Sequence, residues 1–215
     1  YVKSYFPVFL LGALFGKLMD DSGSAQAISE FIVRKIGKKR EVLAIVLSCA
    51  ILTYGGVSLF VVAFAAYPIA AALFRESNLP KRFIPACIAL GAFTFTMTGL
   101  PGTPQIQNAI PMQYFGTDAY AAPILGIVAS AIMFGGGLFW INTRIKKAVE
   151  KGEGYGEHKN ETLVQSSREN LPSFGTAVLP ILIVLVANFV ISRFIIPMSD
   201  SAYLETYGTT IGKVS

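Results

Sequence analysis

Two stretches of the sequence combine glycine or proline with hydroxyl and amide side chains inside otherwise apolar surroundings. The first is Thr53-Tyr54-Gly55-Gly56-Val57-Ser58, and the second runs from Gly99 to Pro111 without an acidic or basic side chain. Glycine lets a backbone approach a ligand closely, and hydroxyl and amide groups can bind either an anion or a cation. The candidate binding residues in these stretches are Thr53, Tyr54, Gly55, Gly56, Ser58, Gly102, Thr103, Gln105, Gln107 and Asn108.

The alternative is that both stretches are only tight turns, because small residues also let membrane helices pack closely. Two polar breaks at inferred membrane depth favour a binding site instead. Interrupted backbone inside a bilayer is tolerated only beside protein or a water-filled cavity. Each break also starts a new half-helix, whose free amides and positive dipole end suit an anion.

The composition predicts an all-α integral membrane protein. Hydrophobic residues make up 53% of the chain, charged residues make up 14%, and the mean hydropathy is +0.56. The apolar residues occur in long runs, which is typical of transmembrane segments. The net charge of +5 comes from short basic clusters between these runs. Such clusters indicate topology, so we expect the lipid bilayer and not nucleic acid as a partner.

The sequence offers little for catalysis or cofactor binding. It has no phosphate loop, nucleotide fingerprint or metal-ligand cluster, so we expect no catalytic residue, metal or cofactor beyond a coupling ion. Cys49 and Cys87 lie within apolar runs and are expected to be small buried hydrophobes. Ser58 has no histidine nearby to activate it, and His158 lies in a hydrophilic linker. The chain is therefore not expected to be an enzyme.

The basic clusters constrain the topology, because such clusters mark the cytoplasmic side. The clusters are Arg34-Lys35 with Lys38-Lys39-Arg40, Arg75 with Lys81-Arg82, and Arg144 with Lys146-Lys147. The uncharged run from Val42 to Phe74 would form about 50 Å of helix, against a hydrocarbon core of about 30 Å. Two full spans would need about 40 residues and a turn. The pattern therefore predicts a re-entrant hairpin over 42–74 that turns at the first polar stretch, with one long helix kinked at Gly55-Gly56 as the alternative.

Apolar runs and turn residues place the other elements. They predict a span over 4–19, an amphipathic interfacial helix over 24–36 with Ser29 on its polar side, a broken span over 83–111, a span over 120–143, a cytoplasmic linker over 144–172, and a further span with a polar tail over 173–215. Thr103 and Pro104 predict the start of a half-helix, with the hydroxyl of Thr103 as its cap. Because the chain begins with Tyr1 and stops without a terminating signal, we expect a fragment of a longer protein.

Two motifs resemble those of a known family. The run Leu11-Gly-Ala-Leu-Phe-Gly-Lys-Leu-Met-Asp-Asp-Ser-Gly23 resembles the segment that marks the gluconate permease family (GntP) of the ion transporter superfamily. The stretch from Gly99 to Pro111 is similar to the proline-rich stretch of that family. The resemblance, which covers about residues 6–142, implies inverted repeats, each with a re-entrant hairpin and a broken helix. Residues 1–143 would then be the remainder of the first repeat, and 173–215 would begin the second.

The same resemblance implies a multi-pass secondary transporter of the bacterial inner membrane. It implies proton-coupled symport of gluconate or a related hydroxy-carboxylate, and neutral oxygens of Thr53, Ser58, Thr103 and Asn108 leave sodium coupling open. Typical members carry a histidine where this chain has Gly102-Thr103-Pro104-Gln105, so other short hydroxy acids such as 3-hydroxybutyrate stay open. An ion-coupled antiporter of the same superfamily is the alternative function, and a homodimer is also left open.

Overall fold

The computed structural model describes residues 2–37, 40–157 and 171–195. All regular elements in these ranges are helical, which confirms the all-α class. They are α1 (Val2–Asp21), α2 (Ser24–Ile36), α3 (Glu41–Tyr54), α4 (Leu59–Glu76), α5 (Ile84–Ala92), α6 (Phe95–Thr98), α7 (Ile106–Phe115), α8 (Pro123–Glu150) and α9 (Phe174–Val190), with a 3-10 turn at Lys81–Phe83 and a π turn at Ile191–Ile195. Lys38, Lys39, residues 158–170 of the linker with His158, and the polar tail lie outside the described residues.

Two described helices, α4 and α8, are long and apolar enough to cross a membrane, and α3 and α9 are shorter apolar helices. On α8, Ile124 is 79% exposed and Phe139 is 74% exposed. Large apolar side chains with this exposure suit contact with lipid or with another apolar surface. The helix also continues to Glu150, past the predicted end of its span at 143, so the start of the predicted linker is helical.

The helices α3 and α4 form an antiparallel hairpin. The hydroxyl of Ser77, just after α4, donates to Glu41 Oε1 at the start of α3 over 2.7 Å. At the other end, Val57 N donates to Leu52 O, and Gly56 adopts a φ of 88° that favours glycine. The chain therefore reverses direction at the first polar stretch, and the alternative of one long kinked helix is wrong.

Contacts place the basic segments at one end of the molecule. Arg82 Nε lies 2.7 Å from Glu153 Oε1, beyond the end of α8. The backbone N–H of Tyr155 donates to Asn78 Oδ1 over 3.0 Å, which joins the same segment to the residues that follow α4. The ends of α4 and α8 and the start of α5 consequently lie together. This is the arrangement that basic clusters on one side of a membrane require.

The core centres on α3, which packs against α2, α4 and α5. The buried face of α2 turns toward α3, α4 and α9, with Ser24, Ala25, Ile28 and Ile32 in the interior. Ser29 is 1% exposed, so its expected place on a polar surface is wrong. Its hydroxyl has no hydrogen-bond partner among the described residues, and small residues such as serine are common where membrane helices approach closely.

Candidate functional site

The first break separates α3 from α4. The helix α3 ends at Tyr54, and Gly55 and Gly56 make the turn. Ser58 is the N-cap residue of α4, with φ −54° and ψ 133°, and its side chain makes no capping hydrogen bond. The first-turn amides of α4 therefore keep their positive partial charge available to a ligand.

The second break lies between α6 and α7. The helix α7 begins at Ile106 with Gln105 as its N-cap residue, so the predicted start at Pro104 is wrong. The hydroxyl of Thr103 donates to Thr96 O over 2.7 Å instead of capping the helix. The helix therefore begins two residues later than predicted. A difference of this size is usual for helix boundaries predicted from sequence.

A further interruption at Phe93 and Thr94 separates α5 from α6 and was not predicted. Thr94 has φ −110° and ψ −114°, and its hydroxyl donates to Leu90 O over 2.7 Å. The hydroxyl of Thr96 likewise donates to Gly91 O over 2.8 Å. Threonine hydroxyls that bond preceding carbonyls compete with the helical ladder, so the closely spaced threonines were the available signal.

Hydrogen bonds join the two breaks to each other. The phenolic O–H of Tyr54 donates to Pro101 O over 2.8 Å. In the opposite direction, Gln105 Nε2 donates to Thr53 O over 2.7 Å. A Cβ atom built on Gly56 would lie 3.3 Å from Pro104 Cγ, so the turns also touch. The two breaks therefore form one polar unit between the helices.

A cavity of about 410 Å³ opens where the two half-helices start. Its lining comes from α1, the first break with the start of α4, α6, and the second break with the start of α7. The lining residues are Gly12, Ala13, Gly56, Ser58, Leu59, Phe60, Met97, Pro104, Gln105, Ile106 and Gln107. None of these side chains is ionisable, so an anion bound here would depend on amides, hydroxyl groups and helix dipoles.

Four candidate residues line this cavity, namely Gly56, Ser58, Gln105 and Gln107, and the other six are not part of its lining. Tyr54 and Thr103 stabilise the breaks through their hydrogen bonds to Pro101 O and Thr96 O respectively. Asn108 Nδ2 donates to Thr103 O over 3.2 Å. The candidates Gly55 and Gly102 serve close packing, against Ile181 and the Tyr120 ring respectively.

Thr53 is fully buried beside the first break. Its hydroxyl oxygen has no hydrogen-bond partner among the described residues, whereas its carbonyl oxygen accepts from Gln105. Thr53 does not line the cavity, so its backbone is the part that joins it to the site.

The sequence did not indicate that α1 forms part of the cavity wall, because its lining residues Gly12 and Ala13 carry no functional group. The signal was the spacing of Gly12 and Gly16, which permits close helix approach. A Cβ atom on Gly16 would lie 3.0 Å from Ser58 Cβ, so α1 packs directly against the first break.

The helix α9 covers the breaks on another side. Ile181 lies so close to Gly55 that an added Cβ would be 2.5 Å from Ile181 Cγ2. Further along α9, Asn188 Oδ1 accepts a hydrogen bond from the Tyr120 hydroxyl over 3.2 Å. Tyr120 in turn packs against Gly102, whose φ of 76° favours glycine. The first break therefore contacts α9 directly, and the second break is connected to α9 through Tyr120.

Comparisons with known proteins agree on one family. A sequence model described as GntP family permease matches residues 5–213. An uncharacterized transporter of Bacillus subtilis (strain 168), YxjC, is 59% identical over 156 residues, covering 73% of this chain and 33% of that protein. A gluconate permease of the same organism is 30% identical over 197 residues, covering 85% of this chain and 41% of its own length.

A high-affinity gluconate transporter of Escherichia coli (strain K12) is 27% identical over 193 residues, which are 86% of this chain and 41% of that protein. The chain thus spans between a third and about two fifths of the length of these relatives. No solved structure matches the chain significantly. The relatives are named as permeases and transporters, and none of these names describes an enzyme.

Proposed function

Because the chain belongs to the GntP permease family and is therefore part of a membrane protein, we propose that it supplies part of the binding site of a secondary transporter for a small hydroxy-carboxylate. The observation that carries this proposal is the cavity shared by the starts of α4 and α7. The names of the gluconate permease and gluconate transporter relatives support the choice of substrate class.

The substrate carboxylate binds between the two half-helix starts. Helix N-termini attract anions through unpaired amides and the positive end of the dipole. Two such ends converge here, next to the hydroxyl of Ser58 and the amides of Gln105 and Gln107. Discontinuous helices that present their N-termini to an anionic group are a recurring device in secondary transporters.

The proposed setting is a bacterial inner membrane that the protein crosses several times, with α3 and α4 as a re-entrant hairpin. The 14 residues of α3 span about 21 Å, which is less than the hydrocarbon thickness of about 30 Å. Its turn meets the second break, so both polar breaks have the same depth. In this proposal the hairpin and the broken span α5–α7 belong to one of two inverted repeats.

Cysteine labelling tests this topology. Arg40 and Glu76 flank the hairpin, Thr117 precedes α8, and all three are exposed. We expect an impermeant maleimide to modify Arg40→Cys and Glu76→Cys from the cytoplasmic face only, and Thr117→Cys from the outer face only. The native Cys49 and Cys87 are buried and should give little background. Labelling of positions 40 and 76 from opposite faces would exclude the re-entrant hairpin.

The coupling ion is a proton in this proposal, with sodium as the alternative. Because the described cavity wall has no ionisable side chain, a coupling proton must be carried by the substrate itself or by a group outside this wall. Uptake measured after removal of sodium, and separately after collapse of the proton gradient, distinguishes the two ions.

Counterflow in proteoliposomes tests the function itself, using the full-length protein that contains this chain. Labelled gluconate or 3-hydroxybutyrate should exchange against the same unlabelled acid inside the vesicles, and protein-free vesicles provide the control. Exchange of cations without exchange of either acid would favour the antiporter and refute the proposed substrate class.

A further inference from the structure

The side chain of Gln105 belongs both to the cavity wall and to the contact between the breaks. It lines the cavity, and its Nε2 atom lies 2.7 Å from the carbonyl oxygen of Thr53. A backbone carbonyl oxygen can only accept a hydrogen bond, so the atom facing it must be the amide NH2. This contact settles the orientation of the amide group, which is otherwise ambiguous in glutamine.

With Nε2 held by Thr53, the Oε1 atom of Gln105 must point away from that carbonyl. Within the described part of the chain, the amide of Gln105 makes its hydrogen bond through Nε2 alone. The residue is half-buried, so Oε1 is a fixed acceptor that a ligand in the cavity can reach. An acceptor oxygen repels a carboxylate oxygen and requires a donor.

We infer that Oε1 of Gln105 accepts a hydrogen bond from a hydroxyl on C2 or C3 of the substrate. It thereby selects hydroxy-carboxylates over carboxylates that lack this hydroxyl. The inference rests on the proposed function. Gln105 is the N-cap residue of α7, so its side chain lies next to the amides that hold the carboxylate. A hydroxyl on a carbon close to the carboxylate is the donor that such a neighbouring acceptor can bind.

Gln107 also lines the cavity but does not meet the same condition. It is exposed, and no hydrogen bond to another described residue fixes which end of its amide faces the ligand. A freely rotating amide can present either a donor or an acceptor, so it discriminates poorly between substrates with and without a hydroxyl. Selectivity for the hydroxyl is therefore assigned to Gln105.

Competition in the counterflow assay tests this assignment. Unlabelled 3-hydroxybutyrate and butyrate, or gluconate and its analogue without hydroxyls on C2 and C3, compete with the labelled hydroxy acid that the wild-type protein exchanges. The wild type should prefer the hydroxy acid on the order of 10-fold, about the contribution of one hydrogen bond. Gln105→Met has a similar length and only a weakly accepting thioether sulfur, so its preference should fall to roughly one-fold.

Two further variants separate selectivity from structural support. Gln105→Glu keeps acceptor oxygens in either orientation of its carboxylate but loses the donor to Thr53 O, and its charge weakens the binding of both acids, so a preference that it retains supports the role of the acceptor. Tyr54→Phe removes the other hydrogen bond between the breaks without changing the cavity wall, and should also keep the preference. For a variant too unstable to reconstitute, the same ratio is obtained from ligand-dependent thermal stabilisation of the purified protein.

The outcomes distinguish this inference from the proposed function. A preserved preference in Gln105→Met, or a lost preference in Tyr54→Phe, would overturn the role of Oε1. Equal binding of both acids by the wild type would also overturn it and leave the transporter proposal intact. If the wild type exchanges neither hydroxy acid, the proposed function itself fails.

Discussion

Ser58→Asp should lower carboxylate uptake about 100-fold, whereas Ser58→Asn should stay within a few-fold of the wild type. Ser58 is the N-cap residue of α4 and lines the cavity. A fixed carboxylate there would occupy the positive helix end and repel the substrate. Two like charges about 6 Å apart at an effective dielectric constant of about 20 repel by about 3 kcal/mol, which corresponds to roughly 100-fold.

Aspartate and asparagine have nearly the same shape, and both are good N-cap residues, so this pair isolates the charge. Initial rates of counterflow at a substrate concentration below half-saturation provide the measurement. The yield and thermal stability of the two proteins should be alike. If uptake is equally reduced in both variants, the loss comes from altered packing beside Gly16 and the carboxylate does not bind at this helix start.

Gly91→Ala should destabilise the folded protein, with a melting temperature about 2–12 °C lower for a cost of roughly 1–3 kcal/mol. The new Cβ would lie 2.5 Å from Val46 O and 2.6 Å from Cys49 Cβ. Both atoms belong to α3, and the carbonyl oxygen cannot move without displacing that helix. The helices α3 and α5 would have to separate at the centre of the core.

Gly136→Ala is the matched control, because it also lies within a helix and an added Cβ would meet nothing within 4 Å. Both substitutions gain about 1 kcal/mol of helix propensity, so their difference reports the contact alone. Thermal unfolding of the purified protein in detergent measures both. Equal melting temperatures for the two variants would mean that α3 and α5 do not approach this closely.

The sequence was sufficient to predict features that depend on local composition and run length. The family resemblance is confirmed by the match over residues 5–213, and the helical class is confirmed by the structure. The turn at Gly55 and Gly56 follows from a run too long for one span and too short for two. These features need no knowledge of distant contacts.

Features decided by tertiary partners could not be predicted in this way. The hydroxyl of Thr103 has the right type and position for a cap, but it bonds Thr96 O across the break. Gly12 and Ala13 line the cavity because α1 packs beside Ser58, and their side chains carry no chemical signal. Some candidate residues line the cavity and others stabilise the two breaks. Both groups have the same polar character, so only their three-dimensional positions distinguish them.

The contact between Gly55 and Ile181 also has a consequence for biosynthesis. Ile181 emerges from the ribosome 126 residues after Gly55, on the order of 10 s later at a usual elongation rate. During this interval the tip of the α3–α4 hairpin lacks the helix that covers it in the finished fold. Insertion of the hairpin into the bilayer and completion of its packing are therefore separate events in the life of the nascent chain.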